Sequence, residues 1–588
     1  MLDGVTLNAD LCVVGGGMAG LCAALAAARC GARVALMHER PVLGGNASSE
    51  CRVHITGAGC HGTRPDARET GIVEELQLRN LHVNPQRSYS VWDTVLWEAA
   101  RAEPNLDLLL NCSCSEACKD GDRIARLAGW QMTTQKRVQV EADYFADCTG
   151  DGVTALLAGA EARVGREGRE EFGESLAPEH PDDRTMGMTC LFMARPTDRP
   201  QPFQPPSWVR RFDKPQDLAH RRPGRLQCGY WWIELGGDRD AIGDTEDVRD
   251  ELLPIVYGIW DHLKNRGDYG AENWVLDWVQ FLPAKRESRR LVGDHLLCQG
   301  DIVAGGPFGD TVAYGGWPMD QHPPAGLWDP GPPADFGEVP DIYGIPLRSL
   351  YSRNVANLWM AGRDASCTHV GLSSSRVMGT CALMGQAVGT AAAYAARRGL
   401  TPRECAESSA IDAIQQRLLA DDCYLPGRAR RFGRDTSEAA LTASRGAPEP
   451  LRDGVNRQVR GTDHSWRGRP GDWVEYRWGS PREVRSVALA FDSNLSVPIS
   501  LSYHTDSHRE RTPPELVKRF SVLAETDGSW REVYTDGGNY LRFRRVELGD
   551  LRARAVRLVA HETHGADDVR VFTLAVNEPS PAEFPARA

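Results

Sequence analysis

Val5 to Val14 has the apolar texture of a buried strand, and a glycine turn, GGGMAG, breaks it. Met18 to Cys30 follows as an Ala-rich run without a breaker, which predicts a helix. Gly31 stands where a C-cap glycine ends it. ARVALMHE, from Ala32, is a second buried strand, so the order strand, helix, strand predicts a parallel sheet with a right-handed crossover. Alternation in NLDLLLNCSCSEA predicts a further strand. From about Glu161 to Pro340 the texture changes. Pro and Trp become frequent (QPFQPPSWVRRF, GYWWIEL, ENWVLDWVQFLP), as in an inserted domain whose loops cover a pocket. At NLWMAGRDAS the buried-strand signature returns, and an Ala/Gly-rich helix is expected from about Ser375 to Arg398. Gly379, Gly385 and Gly389 on that helix let another backbone approach closely, at some cost in helix propensity.

Between about Asp422 and Pro450 the helical pattern fades into a Pro/Gly/Arg-rich linker. Beyond it lie the short alternating runs DWVEYRW, REVRSVALAFD, SVPISLSYH, RFRRVEL, ARAVRLVAH and VRVFTLAVNE, separated by turn signals. They predict an antiparallel sandwich. No internal repeat is evident. With 588 residues the chain exceeds a single compact core.

Composition narrows the function classes. Apolar residues make up 41% and charged residues 25%, as in ordinary globular proteins. A net charge of -12 argues against a sequence-independent nucleic-acid binder, which needs a basic face. No apolar run approaches the roughly 20 residues of a membrane helix. MLDGVTLNAD lacks the basic and apolar segments of a secretory signal, so a soluble, cytoplasmic chain is expected, without a membrane or nucleic-acid partner. Its 16 scattered cysteines suit a reducing compartment. Cys112, Cys114 and Cys118 form the tightest cluster, but no further CxxC or HxxxH completes a zinc set, so no metal is expected.

The chemistry begins at the glycine turn. Gly15 permits the tight turn, Gly17 admits a pyrophosphate to the backbone, and Gly20 allows helix–strand packing. Glu39 ends the second strand, where a carboxylate can hold ribose hydroxyls. The helix N-terminus would hold the pyrophosphate. RPVLGGNASSECRVHITGAG, from Arg40, is rich in glycine and small polar residues, with Gly45, Asn46, Arg52 and His54 embedded, and can line an extended cofactor.

With LGGNASSE the chain resembles FAD-dependent oxidoreductases of the glutathione-reductase-like superfamily. FADCTGDG, ending at Gly150, Asp151 and Gly152, is similar to the superfamily's second strand-turn near the cofactor. NLWMAGRDAS is similar to its distal flavin motif, so the resemblance implies that Gly362 and Asp364 meet the ribityl chain. THVGLSSSRVMGTCALMGQAVGTAAAYAA resembles its closing helix, whose N-terminus faces the flavin ring. RESRRLVGDHLL and YGGWPMDQH also look like this group, and the likeness runs from about Val5 to Leu400. Cys51 stands where an aliphatic residue is expected. The C-terminal runs resemble discoidin-like, galactose-binding-like modules, carried by WRGRPGDWVEYRWGSPREVRSVALAFDS and ARAVRLVAHET.

The expected fold class is α/β: a Rossmann-like, two-part FAD domain at 1–165 and 341–425. An inserted α+β substrate domain occupies 166–340, a linker 426–450, and an all-β sandwich 451–580. Reduced flavin carries negative charge near N1, which a helix N-terminus stabilises. Ser374 and Ser375, with Ser373, are placed to cap that end. Flavin oxidation of a C–H bond needs a base for the accompanying proton. His369 is the first candidate and His54 the second, with Arg289 and Arg376 orienting the substrate. Asp320 and His322 lie in a Trp- and Gly-rich loop suited to sugar stacking.

The expected reaction is oxidation of a carbohydrate, glycoside or related polyol by hydride transfer to flavin, as a step in glycoside breakdown. A redox-neutral variant would pass through a keto sugar and eliminate the glycoside. The alternatives are a fumarate-reductase-like enzyme with Arg289 and Arg376 clamping a carboxylic acid, and a carbohydrate-binding protein with a structural flavin. A flavin-dependent tRNA-modifying protein shares the turn but is opposed by the acidic balance. The expected partner is a small molecule, with a homo-oligomer allowed.

Overall fold

The computed structural model describes residues 4–218, 220–503, 507–580 and 583–584. Its first layer is a seven-stranded sheet of β1 (Gly4–Val14), β2 (Val34–Met37), β3 (Leu106–Leu109), β4 (Cys112–Asp120), β5 (Arg123–Gln131), β6 (Lys136–Asp147) and β7 (Leu358–Met360). The order is β3-β2-β1-β6-β5-β4, with β7 pairing the C-terminal end of β6. β1, β2, β3, β6 and β7 pair in parallel, while β4 and β5 form an antiparallel flap. β1, β6 and β7 come from sequence segments hundreds of residues apart, yet their C-terminal ends meet at Val14, Asp147 and Met360. Ligands bind outside that edge of a parallel sheet.

The first helix, Met18–Arg29, is buried on every side up to Ala28, as expected of a helix packed between layers. One neighbour is the sheet and the other is the long helix Met378–Arg398. Small residues make this possible. A Cβ on Gly385 would stand 2.0 Å from the carbonyl oxygen of Ala19, and one on Gly389 2.0 Å from that of Ala23.

The long helix starts later than the sequence pattern indicated. His369–Ser375 forms a short helix of its own, and Val377 is extended (φ -66, ψ 143) before Met378 opens the second. The break is held where the Gly379 amide donates to the carbonyl of Thr56 at 2.8 Å. A side chain at 379 would strike Glu69.

Residues of the Pro/Trp-rich stretch build a separate small core, with Phe192, Trp232, Ile255 and Trp260 at its centre. Cys112, Cys114 and Cys118 lie on β4, and no metal-binding cluster exists among the described residues.

The C-terminal strands pair antiparallel throughout. DWVEYRW and REVRSVALAFD are one strand, Trp473–Phe491, and RFRRVEL joins ARAVRLVAH in Phe543–Thr563. Register shifts near Arg477/Arg482 and Val484/Ser486 bend the pair, and hence the alternation reads as broken. SVPISLSYH is not a strand: Ser496 to Tyr503 is loop, and its His504 lies outside the described residues. The alternation there does not follow burial: Ile499, Ser500 and Ser502 are buried, while Val497, Leu501 and Tyr503 are half-buried.

A buried polar seam joins the C-terminal strands to the N-terminal body. Arg542, 1% exposed, donates to Asp422 at 2.9 Å and to the Phe491 carbonyl at 2.8 Å. Arg457 reaches Thr70 and Tyr314, each at 2.9 Å. Ser493 donates to Glu74 at 2.5 Å.

Candidate active site

A cavity of about 600 Å³ opens at the C-terminal edge of the parallel strands, within the range of small-molecule and cofactor sites. Its inner end is backbone. Gly17, Met18 and Ala19 present the first helix's N-terminus, facing Gly44 and Gly45, with Thr149, Gly150 and Gly362 alongside. Three glycines have separate reasons. Gly15 has φ +98, and a Cβ there would lie 2.3 Å from the Cys148 carbonyl. A Cβ on Gly20 would come within 1.8 Å of the Gly15 carbonyl oxygen, so the helix could not seat. At Gly17 nothing lies closer than 4.0 Å: the space is open for a ligand. No side chain caps this helix, so its first amides remain as an anion site.

Asp364 is the residue expected at the ribityl chain. The carboxylate is fully buried, Oδ2 accepts from the Gly150 amide at 3.1 Å, and Oδ1 has no partner. Burial, reinforced by Asp147, pushes this carboxyl well above the usual range. Asp364 itself stands behind Gly362 rather than in the cavity wall; the open space at Gly17 and the uncapped helix end are what fit the pyrophosphate of FAD.

Other expected cofactor residues stand further back. Asp151 does not line the cavity. Burial would raise its carboxyl, but Arg363 and Lys285, each at 2.8 Å, hold it well below the usual range. Those two cations do line the wall, and Asn46 joins them by donating to the Lys285 carbonyl at 3.2 Å. Glu39 is exposed at the end of β2, outside the cavity wall. Arg40 is likewise outside, paired with Glu50 at 2.5 Å. Ser374 and Ser375 do not cap the helix facing the cavity. Ser374 donates to the Trp317 carbonyl and meets Tyr343, while Ser375 bonds back to the Gly371 carbonyl. The amide end lining the cavity belongs to Val377, Met378 and Cys381.

At the outer end a charged network stands against aromatic rings. His322 sits between two carboxylates, Nδ1 2.6 Å from Glu234 and Nε2 3.2 Å from Asp320. Asp320 also pairs with Arg376 at 3.1 Å, and Glu234 with Arg286 at 3.4 Å. Burial would raise the Asp320 carboxyl, yet His322, Arg376 and Arg286 outweigh it and hold it well below the usual range. Burial acts on Glu234 in the same way, and Arg286 and His322 lower it. Trp231, Trp317 and Phe336 line the same end, with Trp231 edge-on to His322 at 5.4 Å. His54 and His61 complete the wall, their ring centroids 5.3 Å apart.

Two expected catalytic residues are not in this wall. His369 is 3% exposed, with Nδ1 2.8 Å from Glu287, which is itself held by the Met186 amide. The ring turns into the protein because Glu287 is buried there and needs a cationic or donor partner. Arg289 instead donates to the Asp151 carbonyl at 3.2 Å. Arg286 of the same segment does line the cavity, and Arg290 is buried against Glu167. RESRR therefore places only its first arginine at the cavity, a choice composition cannot reveal. Lys285 and Tyr89 of the wall, and Glu234 behind it, carried no motif signal, whereas Arg363 lies within NLWMAGRDAS. Cys381 lines the wall, and burial pushes its thiol up to about 12, so it stands as a neutral thiol.

A family model described as FAD dependent oxidoreductase matches residues 10–418. No curated protein matches the chain. Among solved structures, the family 32 carbohydrate-binding module of Streptococcus pneumoniae EndoD is similar at 16% identity, over 24% of this chain and 96% of that one, with a TM-score of 0.19. The family 32 module of C. perfringens NanJ, solved with galactose, is similar at 14% identity over 24% and 95%, TM-score 0.18. L-proline dehydrogenase from P. horikoshii is similar at 18% identity over 26% of this chain and 24% of that one, TM-score 0.16. The match over residues 10–418 spans every glycine elbow described above, and the chain belongs to the FAD dependent oxidoreductase family: it is an oxidoreductase with FAD as its cofactor.

Proposed function

We propose that the enzyme oxidises an alcohol carbon of a carbohydrate, glycoside or related polyol. The observation that carries this reading is the outer cavity wall, where Asp320, His322 and Arg376, backed by the buried Glu234, stand with Trp231, Trp317 and Phe336. Aromatic faces stack on the C–H face of a sugar ring, and fixed ionic groups bond its hydroxyls in a chosen register. FAD, when bound, supplies the two-electron oxidation by accepting hydride from the carbon. The protein's part is to orient that carbon and remove its hydroxyl proton.

His54 is suited to the proton transfer because it lines the cavity, and its neighbour His61 can carry the proton onward. His322, with both ring nitrogens on carboxylates, is a positioning residue that fixes Asp320 for the substrate. Arg376 acts through its pair with Asp320 as an orienting group. The carboxylic-acid reading loses support, since Arg289 is turned away and Arg376 is already paired. Sixteen free cysteines fit a reducing compartment, and we place the enzyme in the cytoplasm.

The test is anaerobic bleaching of the yellow holoenzyme with sugars, glycosides, polyols and carboxylic acids. Reduction by a sugar or glycoside is expected, and reduction by carboxylic acids alone would overturn the reading. His54→Gln should keep its FAD and slow bleaching about 10²-fold or more.

A further inference from the structure

Ser496 to Tyr503 leaves the sandwich and packs on the oxidoreductase body. Ser502 and Tyr503 line the FAD-side cavity, although they lie far outside the matched family region. Tyr503 faces Tyr89 across the mouth, ring centroids 6.0 Å apart. Arg52, also in the wall, lies 5.5 Å from the Tyr89 ring and 4.4 Å from that of Trp278. His508, 5% exposed, meets His54 edge-on at 5.7 Å and His61 at 5.9 Å.

Polar contacts pin this loop to the body on both sides of the cavity residues. The Asp66 amide donates to Ser496 at 2.9 Å, and Ser496 returns a bond to the Asp66 carboxylate at 3.1 Å. Glu510 pairs with Arg87. Within the loop, the Arg509 amide closes onto the Pro498 carbonyl at 2.9 Å. The buried seam of Arg542, Arg457 and Ser493 holds the rest of the module in register. Residues fixed this firmly can select a ligand by shape.

We propose that the C-terminal sandwich forms one wall of the active site, and that Ser502 and Tyr503 build an outer subsite with Arg52 and Tyr89, while His508 backs His54 and His61. The subsite takes the second ring of a glycoside, the ring joined to the sugar unit being oxidised. Tyrosine faces stack on such a ring, while Ser502 and Arg52 offer hydrogen bonds to its hydroxyls. The occupant rests on the carbohydrate reading above; the wall does not.

The test uses full-length holoenzyme and two substitutions at one position, Tyr503→Ala and Tyr503→Trp. Iodide quenching of the bound FAD fluorescence reads access through the mouth without any substrate. It should rise in Tyr503→Ala and fall in Tyr503→Trp. Anaerobic reduction is then compared for the methyl glycoside and the p-nitrophenyl glycoside of the same sugar. The preference for the two-ring compound should fall about tenfold in Tyr503→Ala. Unchanged quenching in both variants overturns the wall. Altered quenching with unchanged preference overturns the outer subsite alone. If neither glycoside reduces the wild-type flavin while quenching still shifts, the carbohydrate reading and its second ring fall together, and the wall stands.

Discussion

Replacing Gly385 by alanine tests how the cavity floor is built. The new Cβ would lie 2.0 Å from the carbonyl oxygen of Ala19 and 2.9 Å from its Cα, where ordinary contact begins at 3.4 Å. The obstacle is backbone on a fully packed helix, so no side chain can swing away. The long helix must retreat from the first helix by more than an ångström. Helix propensity alone predicts that alanine stabilises by about 1 kcal/mol. Overpacking costs about 1–3 kcal/mol, and a backbone clash belongs at the upper end. The net expectation is a loss of about 1–2 kcal/mol. Because Ala19 lines the cavity, the retreat also loosens FAD.

Gly300 is the control, because it lies in the helix Gln299–Val303 and its Cβ would find nothing nearer than 3.8 Å. Gly300→Ala should stabilise by up to about 1 kcal/mol. Urea unfolding followed by circular dichroism, with FAD release followed by fluorescence, measures both. The reasoning is refuted if Gly385→Ala unfolds at a higher urea midpoint than the wild type and keeps its FAD.

Further outcomes concern the charged groups. His369→Ala leaves the buried Glu287 carboxylate with the Met186 amide and Arg290 at 3.4 Å and should cost about 1.5–3 kcal/mol in a thermal or urea melt; a slower reaction at unchanged stability would instead return His369 to catalysis. For Asp320 and Glu234 the folded carboxyls sit below their unfolded values, so their stabilisation is present above the ordinary carboxylate range. It is lost as pH falls through that range, below about pH 4. Asp320→Asn should therefore be less stable than the wild type at pH 7, with the gap closing in acid; a gap constant with pH would contradict the assignment.

Much of the cofactor end was legible in the chain. Gly15, Gly17 and Gly20 each had a steric task that follows from local geometry, and the structure gives each the close or open contact that task requires. Gly385 and Gly389 likewise announced a close backbone approach before any partner was visible. The substrate end was not legible. His369 stood next to the right helix, but the rotation of one turn around a buried Glu287 sends its ring away from the cavity. Arg289 was lost to another cause, its bond to the Asp151 carbonyl.

The sequence by itself determined the parallel dinucleotide fold, the separate β module and the cofactor's anchoring turn, because glycine positions and hydrophobic period act within a few residues of themselves. Only the tertiary structure decided which charges face the cavity. Asp320, His322 and Arg376 line it, and with the buried Glu234 behind them they form one network drawn from three stretches of chain. It alone also showed that SVPISLSYH, patterned like a strand, is a loop buried against another domain. An alternating sequence fixes a strand only where a neighbouring strand supplies the ladder, and here the covering surface is the oxidoreductase body, which buries Ile499, Ser500 and Ser502 without that period.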